Sequence, residues 1–337
     1  MNLRFFMCKN LVPDNGNVIK TYDDKYLDIS DLSINELWLL HYEQEKTFAK
    51  LIKEAKAFSY ERTQLMKRGY ETVSKIMILR KIKESNKWEK YSNNPHFLDI
   101  IDELKMIKKT LNKYLVKNIY LAILKKIIKK VLRKKNECVF FEAGVGNGKI
   151  IKEITKIYRV KAIGCDVFVD KNYIDVDIGV TESSIYNALQ NLEDNSIDVF
   201  YWNDVMEHIP EDEIREHLDL LSKKMAKGGI IITVTPNRLI GPWDITAHFE
   251  PQGTVAKGFH FHEYTFKEIL DLFEEYNIVS AYGIFSNPKK GWYILGAPWM
   301  DRIKLYLEKS VYVSPSKIKN KMMIIAGCDI SLLKKNN

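Results

Sequence analysis

Cysteine is scarce in this chain: Cys8, Cys138, Cys165 and Cys328 stand far apart among 337 residues, and none belongs to a Cys-x-x-Cys pair. That spacing excludes a disulfide framework and the usual thiolate zinc sites. The four are expected to be reduced core residues of a cytoplasmic protein. No run of about 18 apolar residues occurs, so no membrane-spanning helix is expected. The segment from Met1 to Asn10 is apolar but interrupted by polar residues and lacks a small-residue cleavage site, so it reads as no signal peptide. Internal repeats and low-complexity tracts are lacking too.

Acidic residues are missing from the most basic stretch of the chain. Residues 104 to 135 hold 12 Lys or Arg and no Asp or Glu, and the remainder of the chain carries 40 basic against 44 acidic residues. The formal net charge of +8 is therefore one local feature. Between Leu32 and Lys135 glycine and proline are few, and apolar residues recur at three-to-four spacing (Ile34, Leu37, Trp38, Phe48, Leu51, Ile52), which predicts helices. The basic stretch ends this region with apolar pairs every four residues (Leu115/Val116, Ile119/Tyr120, Ile123/Leu124, Ile127/Ile128, Val131/Leu132) opposite its lysines. Such a helix packs its greasy side on a neighbour and leaves the lysines solvated. The sharper alternative is docking onto an anionic membrane surface, an acidic partner protein or RNA; no interleaved aromatics or RNA-binding motif favour the last.

After Asn136 the texture changes to short β-branched and aromatic runs separated by amphipathic segments, the pattern of a parallel sheet with crossover helices. Strands are expected at Cys138 to Ala143, Val160 to Asp166, Ile197 to Asn203 and Ile230 to Thr235, with helices near 148–158, 184–192 and 211–226. A short strand near Asp177 to Val180 and later ones at Ile278 to Phe285 and Met322 to Gly327 complete the reading. The expected organisation is an N-terminal helical region, 1–135, followed by an α/β domain, 136–337, with insertions at 236–264 and 286–320.

The run Glu142-Ala143-Gly144-Val145-Gly146-Asn147-Gly148 follows one strand and opens a helix. Glycines there allow a sharp turn and close approach of backbone to a ligand. The third glycine comes one residue too early for the dinucleotide fingerprint, so a different nucleoside ligand is expected. Asp166 ends the next strand, where a carboxylate can accept both hydroxyl protons of a ribose. These residues resemble the class I S-adenosylmethionine-dependent methyltransferase family, with Glu142-x-Gly144-x-Gly146-x-Gly148 as first motif and Asp166 as second-strand acid. The likeness continues through Asp194 to Val199, Asn203-Asp204-Val205-Met206-Glu207-His208-Ile209 and Gly228-Gly229-Ile230, which resemble the subgroup of quinone-biosynthesis methyltransferases. It implies a Rossmann-like sheet with helices on both faces and S-adenosylmethionine as cofactor. It also implies Glu142 and Gly144 near the methionine part, Asp166 near the ribose, Asn203 near the sulfonium, and Thr181 and Glu182 beside the adenine.

The stretch from Thr235 to Thr265 is too long for a plain helix-to-strand link and leaves a strand end where ligands bind in open α/β sheets. It holds His248, His260 and His262, and its Pro236-Asn237-Arg238 and His260-x-x-Glu263-Tyr264-Thr265 runs resemble bacterial methyltransferases of glycan and secondary-metabolite pathways. His208, His248, His260 and His262 are the candidate catalytic bases. Metal ligation through His248, His260, His262 and Glu263 is the sharper reading of the loop; the ordinary one, hydrogen-bonded histidines with no metal, is the expectation. The enzyme expected is thus a methyltransferase acting on a hydroxyl oxygen of a small glycan, lipid-linked or secondary-metabolite acceptor. RNA or protein methylation guided by the basic helix and a non-catalytic cofactor-binding module are the alternatives.

Overall fold

The computed structural model describes residues 18–84, 119–167, 169, 179–287, 292–326 and 330–336. The chain divides into two compact units. One comprises the described part of Met1–Leu115 with Asp244–Phe249 and Lys257–Phe259; the other comprises the described parts of Val116–Trp243, Glu250–Ala256 and His260–Asn337.

In the first unit an antiparallel hairpin of β1 (Val18–Lys20) and β2 (Tyr26–Asp28) precedes two helices, α1 (Ile34–Glu54) and α2 (Tyr60–Glu84). Ser33 and Glu36 close a capping box that starts α1, satisfying two backbone donors the first turn would otherwise leave bare. Ile19, Ile29, Leu37, Ile76 and Leu79 form its core. A buried polar chain crosses the helices: Arg80 Nη1 meets His41 Nδ1 at 2.8 Å, and His41 Nε2 lies 2.9 Å from Glu45 Oε2. The Arg80 guanidinium lies over the Trp38 ring at 3.3 Å.

The second unit is built on a seven-stranded sheet. Its elements in chain order are α3 (Ile119–Leu132), β3 (Cys138–Ala143), α4 (Lys149–Ile154), β4 (Val160–Asp166), β5 (Gly179–Glu182), α5 (Ile185–Gln190), β6 (Ile197–Asn203), α6 (Ile214–Lys224), β7 (Met225–Val234), α7 (Phe266–Glu274), β8 (Ile278–Tyr282), β9 (Ile284–Asn287), β10 (Trp292–Leu295), α8 (Asp301–Val313), α9 (Lys317–Ala326) and β11 (Ile330–Lys335). The order across the sheet is β5-β4-β3-β6-β7-β11-β8. The first five strands run parallel, and β11 is antiparallel to both β7 and β8.

Alternation along the strands sends side chains to opposite faces and builds two cores. Phe140, Val199 and Tyr201 join α3 and α4 on one face, through Ile123, Ile127, Ile150 and Ile154; Phe141, Phe200 and Trp202 join the other core with Leu189, Leu218 and Phe273 of α5, α6 and α7. This is the Rossmann-like α/β fold, with helices on both faces of the sheet, that the resemblance implies. Helix α3 buries Ile119, Ile123, Leu124, Ile127 and Ile128 and leaves Lys126 and Lys129 exposed. Residues 104–118 of the basic stretch lie outside the described residues. Cys138 and Cys165 are buried free thiols, raised by burial, Cys138 to about 12; Cys8 and Cys328 lie outside the described residues.

Two strand expectations fail at the C-terminal end. The described part of the expected strand Met322 to Gly327, Met322 to Ala326, is helical and ends α9, and the sheet position goes to β11, where Ile330, Ser331, Leu332 and Leu333 are all buried; Gly327 lies outside the described residues. A continuous apolar run fits a buried helix as well as a strand, and period alone does not separate them. The span Ile278 to Phe285 is broken at Gly283, so that β8 stays in the main sheet while β9 leaves it to pair with β10. A Cβ on Gly283 would come within 2.4 Å of Met300 Cβ, so the close approach there requires glycine.

Candidate functional site

The strand order reverses at β3, whose neighbours are β4 on one side and β6 on the other. Loops leaving the carboxyl ends of strands on the two sides of such a point diverge and open a crevice for ligand. The register fixes what surrounds it. Glu142 pairs with Gly164 and Tyr201, Asp166 with Glu182, and Asn203 with Val234, so Glu142, Asp166, Glu182 and Asn203 stand at or next to the carboxyl ends of four adjacent parallel strands.

The loop after β3 is shaped by backbone that L side chains rarely adopt: Gly144, Gly146 and Gly148 have φ of 68°, 56° and 69°. The amides of Gly144 and Val145 donate to Cys165 O at 2.9 and 3.1 Å, and the Gly146 amide donates to Asp166 Oδ2 at 2.7 Å. Asp166 is thus both the end of β4 and the anchor of the glycine bend. Gly144 also lets the loop after β6 approach, since a Cβ there would meet Val205 Cγ2 at 2.4 Å. Glu142 is buried beneath the bend. Asn203 is buried and donates through Nδ2 to Asp204 Oδ2 at 2.6 Å. Thr181 and Glu182 lie on the exposed edge strand β5, where Glu182 Oε2 accepts from Val169 N at 3.3 Å.

After β6 the chain makes a short 3-10 turn, Met206–His208. Glu207 in this turn is fully buried. Thr235, just past β7, donates from Oγ1 to Glu207 Oε2 at 2.9 Å. Glu207 Oε1 has no hydrogen-bond donor among the described residues. Burial pushes this carboxyl well above the ordinary carboxylate range; His260 opposes the rise, and Asp204 adds to it. The main-chain oxygen of Glu207 accepts from Phe261 N at 2.7 Å, pinning the distant 260–262 segment to the turn. His260 and His208 meet edge to face, with ring centroids 4.9 Å apart, and His260 Nδ1 lies 2.6 Å from Glu263 Oε1, which also accepts from Trp243 N at 2.7 Å. One ligand atom each from Glu207, His208 and His260 falls within 4.8 Å of the others, so these three are the residues that could hold a metal ion among those described.

The four candidate histidines therefore separate. His208 and His260 converge. His248 belongs to the first unit, its ring centroid 3.8 Å from that of Trp38, and burial together with the Arg80 and His41 charges lowers its pKa. His262 faces Glu211 (Nδ1, 3.1 Å), Arg238 (Nε2, 3.3 Å) and Glu268 (Nε2, 3.8 Å), so the alternation of His260 and His262 does not give them common partners. The metal set imagined from the loop alone, His248, His260, His262 and Glu263, is not the one assembled, because Glu207 and His208 come from the turn after β6. Sequence reasoning missed the parts of Glu207 and Thr235. The signal for Glu207 is an acid set between apolar Val205, Met206 and Ile209, a position burial would claim.

No family model and no curated protein matches the chain. Among solved structures it is similar to a SAM-dependent methyltransferase from Archaeoglobus fulgidus, at 14% identity over 64% of this chain and 94% of that one, with a TM-score of 0.42. It is similar also to a SAM-dependent methyltransferase from Thermotoga maritima (15% identity, 69% and 97% covered, TM-score 0.42). A third is 1,6-didemethyltoxoflavin-N1-methyltransferase from Burkholderia thailandensis, solved with S-adenosylhomocysteine (11% identity, 71% and 86% covered, TM-score 0.39). The fold class rests on the strand order and register of the chain itself, and its chemistry on the residues at the strand ends.

Proposed function

We propose that the chain is a class I methyltransferase that takes S-adenosylmethionine at the β3/β6 crevice and transfers its methyl group to a hydroxyl oxygen of a small glycan, lipid-linked or secondary-metabolite acceptor. The observation that carries this reading is the glycine bend tied by its Gly146 amide to the buried Asp166 at the switch point. Charge selects among nucleoside ligands. Glu142, Asp166, Asp204 and Glu207 stand at or just beyond the ends of these strands, and the bend from Glu142 to Gly148 contains no basic residue. A pyrophosphate would be repelled there, whereas a sulfonium cation is complementary.

The sulfonium supplies the activated methyl group, which leaves the protein to align the acceptor, exclude water and handle its proton. Glu142 and Asn203 are the residues to orient the methionine end, and Asp166 the ribose. His208 and His260 are the pair placed to act on the acceptor side, next to the turn that follows β6. His248 and His262 are bound into other networks.

Calorimetric titration with S-adenosylhomocysteine tests the reading. The wild type should bind one equivalent, and Asp166→Asn should weaken binding about 10- to 100-fold, since a charge-assisted bond to a ribose hydroxyl contributes about 1.5–3 kcal/mol. Absence of binding by the wild type, or equal binding by Asp166→Asn and Gly146→Val, removes the basis for the assignment.

A further inference from the structure

His260 already has a carboxylate partner. Glu263 is buried and its Oε1 lies 2.6 Å from His260 Nδ1; a carboxylate oxygen only accepts, so Nδ1 would carry the proton of a neutral ring and Nε2 its lone pair. A histidine that serves as a proton acceptor needs no more than such a dyad. Here a second carboxylate, Glu207, and a second ring, His208, converge on the same place from the turn after β6. Two imidazoles, one carboxylate and a further carboxylate that orients one imidazole make the constellation of a metal centre: His₂-carboxylate ligands with an outer hydrogen bond fixing the ring.

We propose that Glu207, His208 and His260 form a binding site for one divalent transition-metal ion, with Glu263 positioning His260. Three ligand atoms held at about 2.0–2.2 Å from one ion lie roughly 3.3–3.8 Å from one another. The atoms of these three side chains fall within 4.8 Å of one another, so side-chain adjustments of up to about an ångström would seat the ion. Glu207 Oε1, fully buried and with no hydrogen-bond donor among the described residues, is the oxygen that points to a cation. Two nitrogen ligands favour zinc, iron, cobalt or nickel over magnesium, calcium or manganese, which prefer oxygen ligands. Three protein ligands leave coordination positions open. If the methyl-transfer reading holds, on which only this last step rests, an acceptor hydroxyl that reaches an open position would be bound and made more acidic by the ion.

The test uses the full-length protein, stripped with chelator, desalted and titrated with Co²⁺ as a visible-absorption probe, then with Zn²⁺ in competition. One equivalent should bind. Glu207→Gln, His208→Ala and His260→Ala should each weaken binding by about 100-fold or more, and Glu263→Gln by roughly 10- to 100-fold, the usual effect of losing an orienting partner. His262→Ala should bind as the wild type does. Far-UV circular dichroism of the metal-free variants checks that each is folded, and should Glu207→Gln be unfolded, the half-buried His208 carries the comparison. Uptake of less than about a tenth of an equivalent by the wild type at a millimolar probe concentration, where a three-ligand site would be saturated, overturns the proposal. So does equal uptake by folded His208→Ala and His260→Ala. A parallel titration with S-adenosylhomocysteine keeps the two readings separate. Metal uptake without nucleoside binding defeats the methyltransferase assignment alone, and nucleoside binding without metal uptake defeats this one alone.

Discussion

Single residues at the crevice matter through space as much as through charge. Gly144 has a φ of 68° and stands where a methyl group would meet Val205 Cγ2 at 2.4 Å, whereas Gly253 has a φ of 87° with nothing within 4 Å. The contrast yields a prediction. Gly253→Ala should cost about 1 kcal/mol for its backbone conformation alone, while Gly144→Ala should cost roughly 2–4 kcal/mol and abolish cofactor binding, because the Val205 loop must move. Urea denaturation and calorimetry of both variants would check it; similar losses in the two would show that the close packing at Gly144 is not decisive. The positions that need glycine or an acid at a strand end, Gly144, Gly146, Gly148 and Asp166, were legible in the sequence because their spacing reflects local backbone demands. Glu207 was not legible as a site residue. Its burial depends on Thr235 and on Phe261, residues 28 and 54 positions away.

At the level of elements, the start of α7 shows how local signals and distant partners combine. Thr265 and Glu268 form a capping box, as a Thr-x-x-Glu run before an apolar helix announces. Glu268 is then joined by His262 and Arg238, the latter at 2.7 Å. Burial alone would raise the Glu268 pKa, but the neighbouring His262 ring, the hydrogen bond from the Thr265 amide and the Arg238 charge bring it down to about 2. Pairing with Glu268 raises His262, against burial, with Glu211 adding to the effect. The His262 contribution is therefore complete below its ordinary 6.5 and is lost as pH rises through its raised value. That of Glu268 is present above its ordinary 4.5 and is lost as pH falls towards about 2. Melting curves should show His262→Ala least stable relative to wild type between about pH 4.5 and 6.5, by roughly 2–4 °C, because half-exposed pairs contribute about 1 kcal/mol or less. A difference that grows above pH 8 would contradict this assignment. Element bounds were read well where a strand stops at a glycine or a polar end, as β3, β4 and β6 do. They were misread at Met322 to Ala326, where an apolar run without alternation suits either state.

For the molecule as a whole, the basic stretch 104–135 stands apart from an otherwise nearly balanced chain. Its described part, α3, buries its apolar side in the core beneath the sheet and directs Lys126 and Lys129 to solvent. If this face docks on an anionic membrane surface, the intact protein should co-sediment with phosphatidylglycerol vesicles at low salt. It should be released as salt rises beyond about 0.15 M, where screening acts within roughly 8 Å. Lys126→Glu with Lys129→Glu should lose the binding. Failure to sediment at low salt would leave the lysines as a solvated face.

The sequence by itself determined the fold class, the order of strands and helices around the glycine bend, and which strand ends carry acids, because those depend on period, turn chemistry and local spacing. Tertiary structure alone decided which histidines meet. His208 and His260 are brought together because Phe261 donates its amide to the main chain of Glu207, and His248 joins Trp38 in another unit because Asp244–Phe249 packs there. Contacts between residues some 50 positions apart are set by how surfaces pack, and no short-range pattern records them.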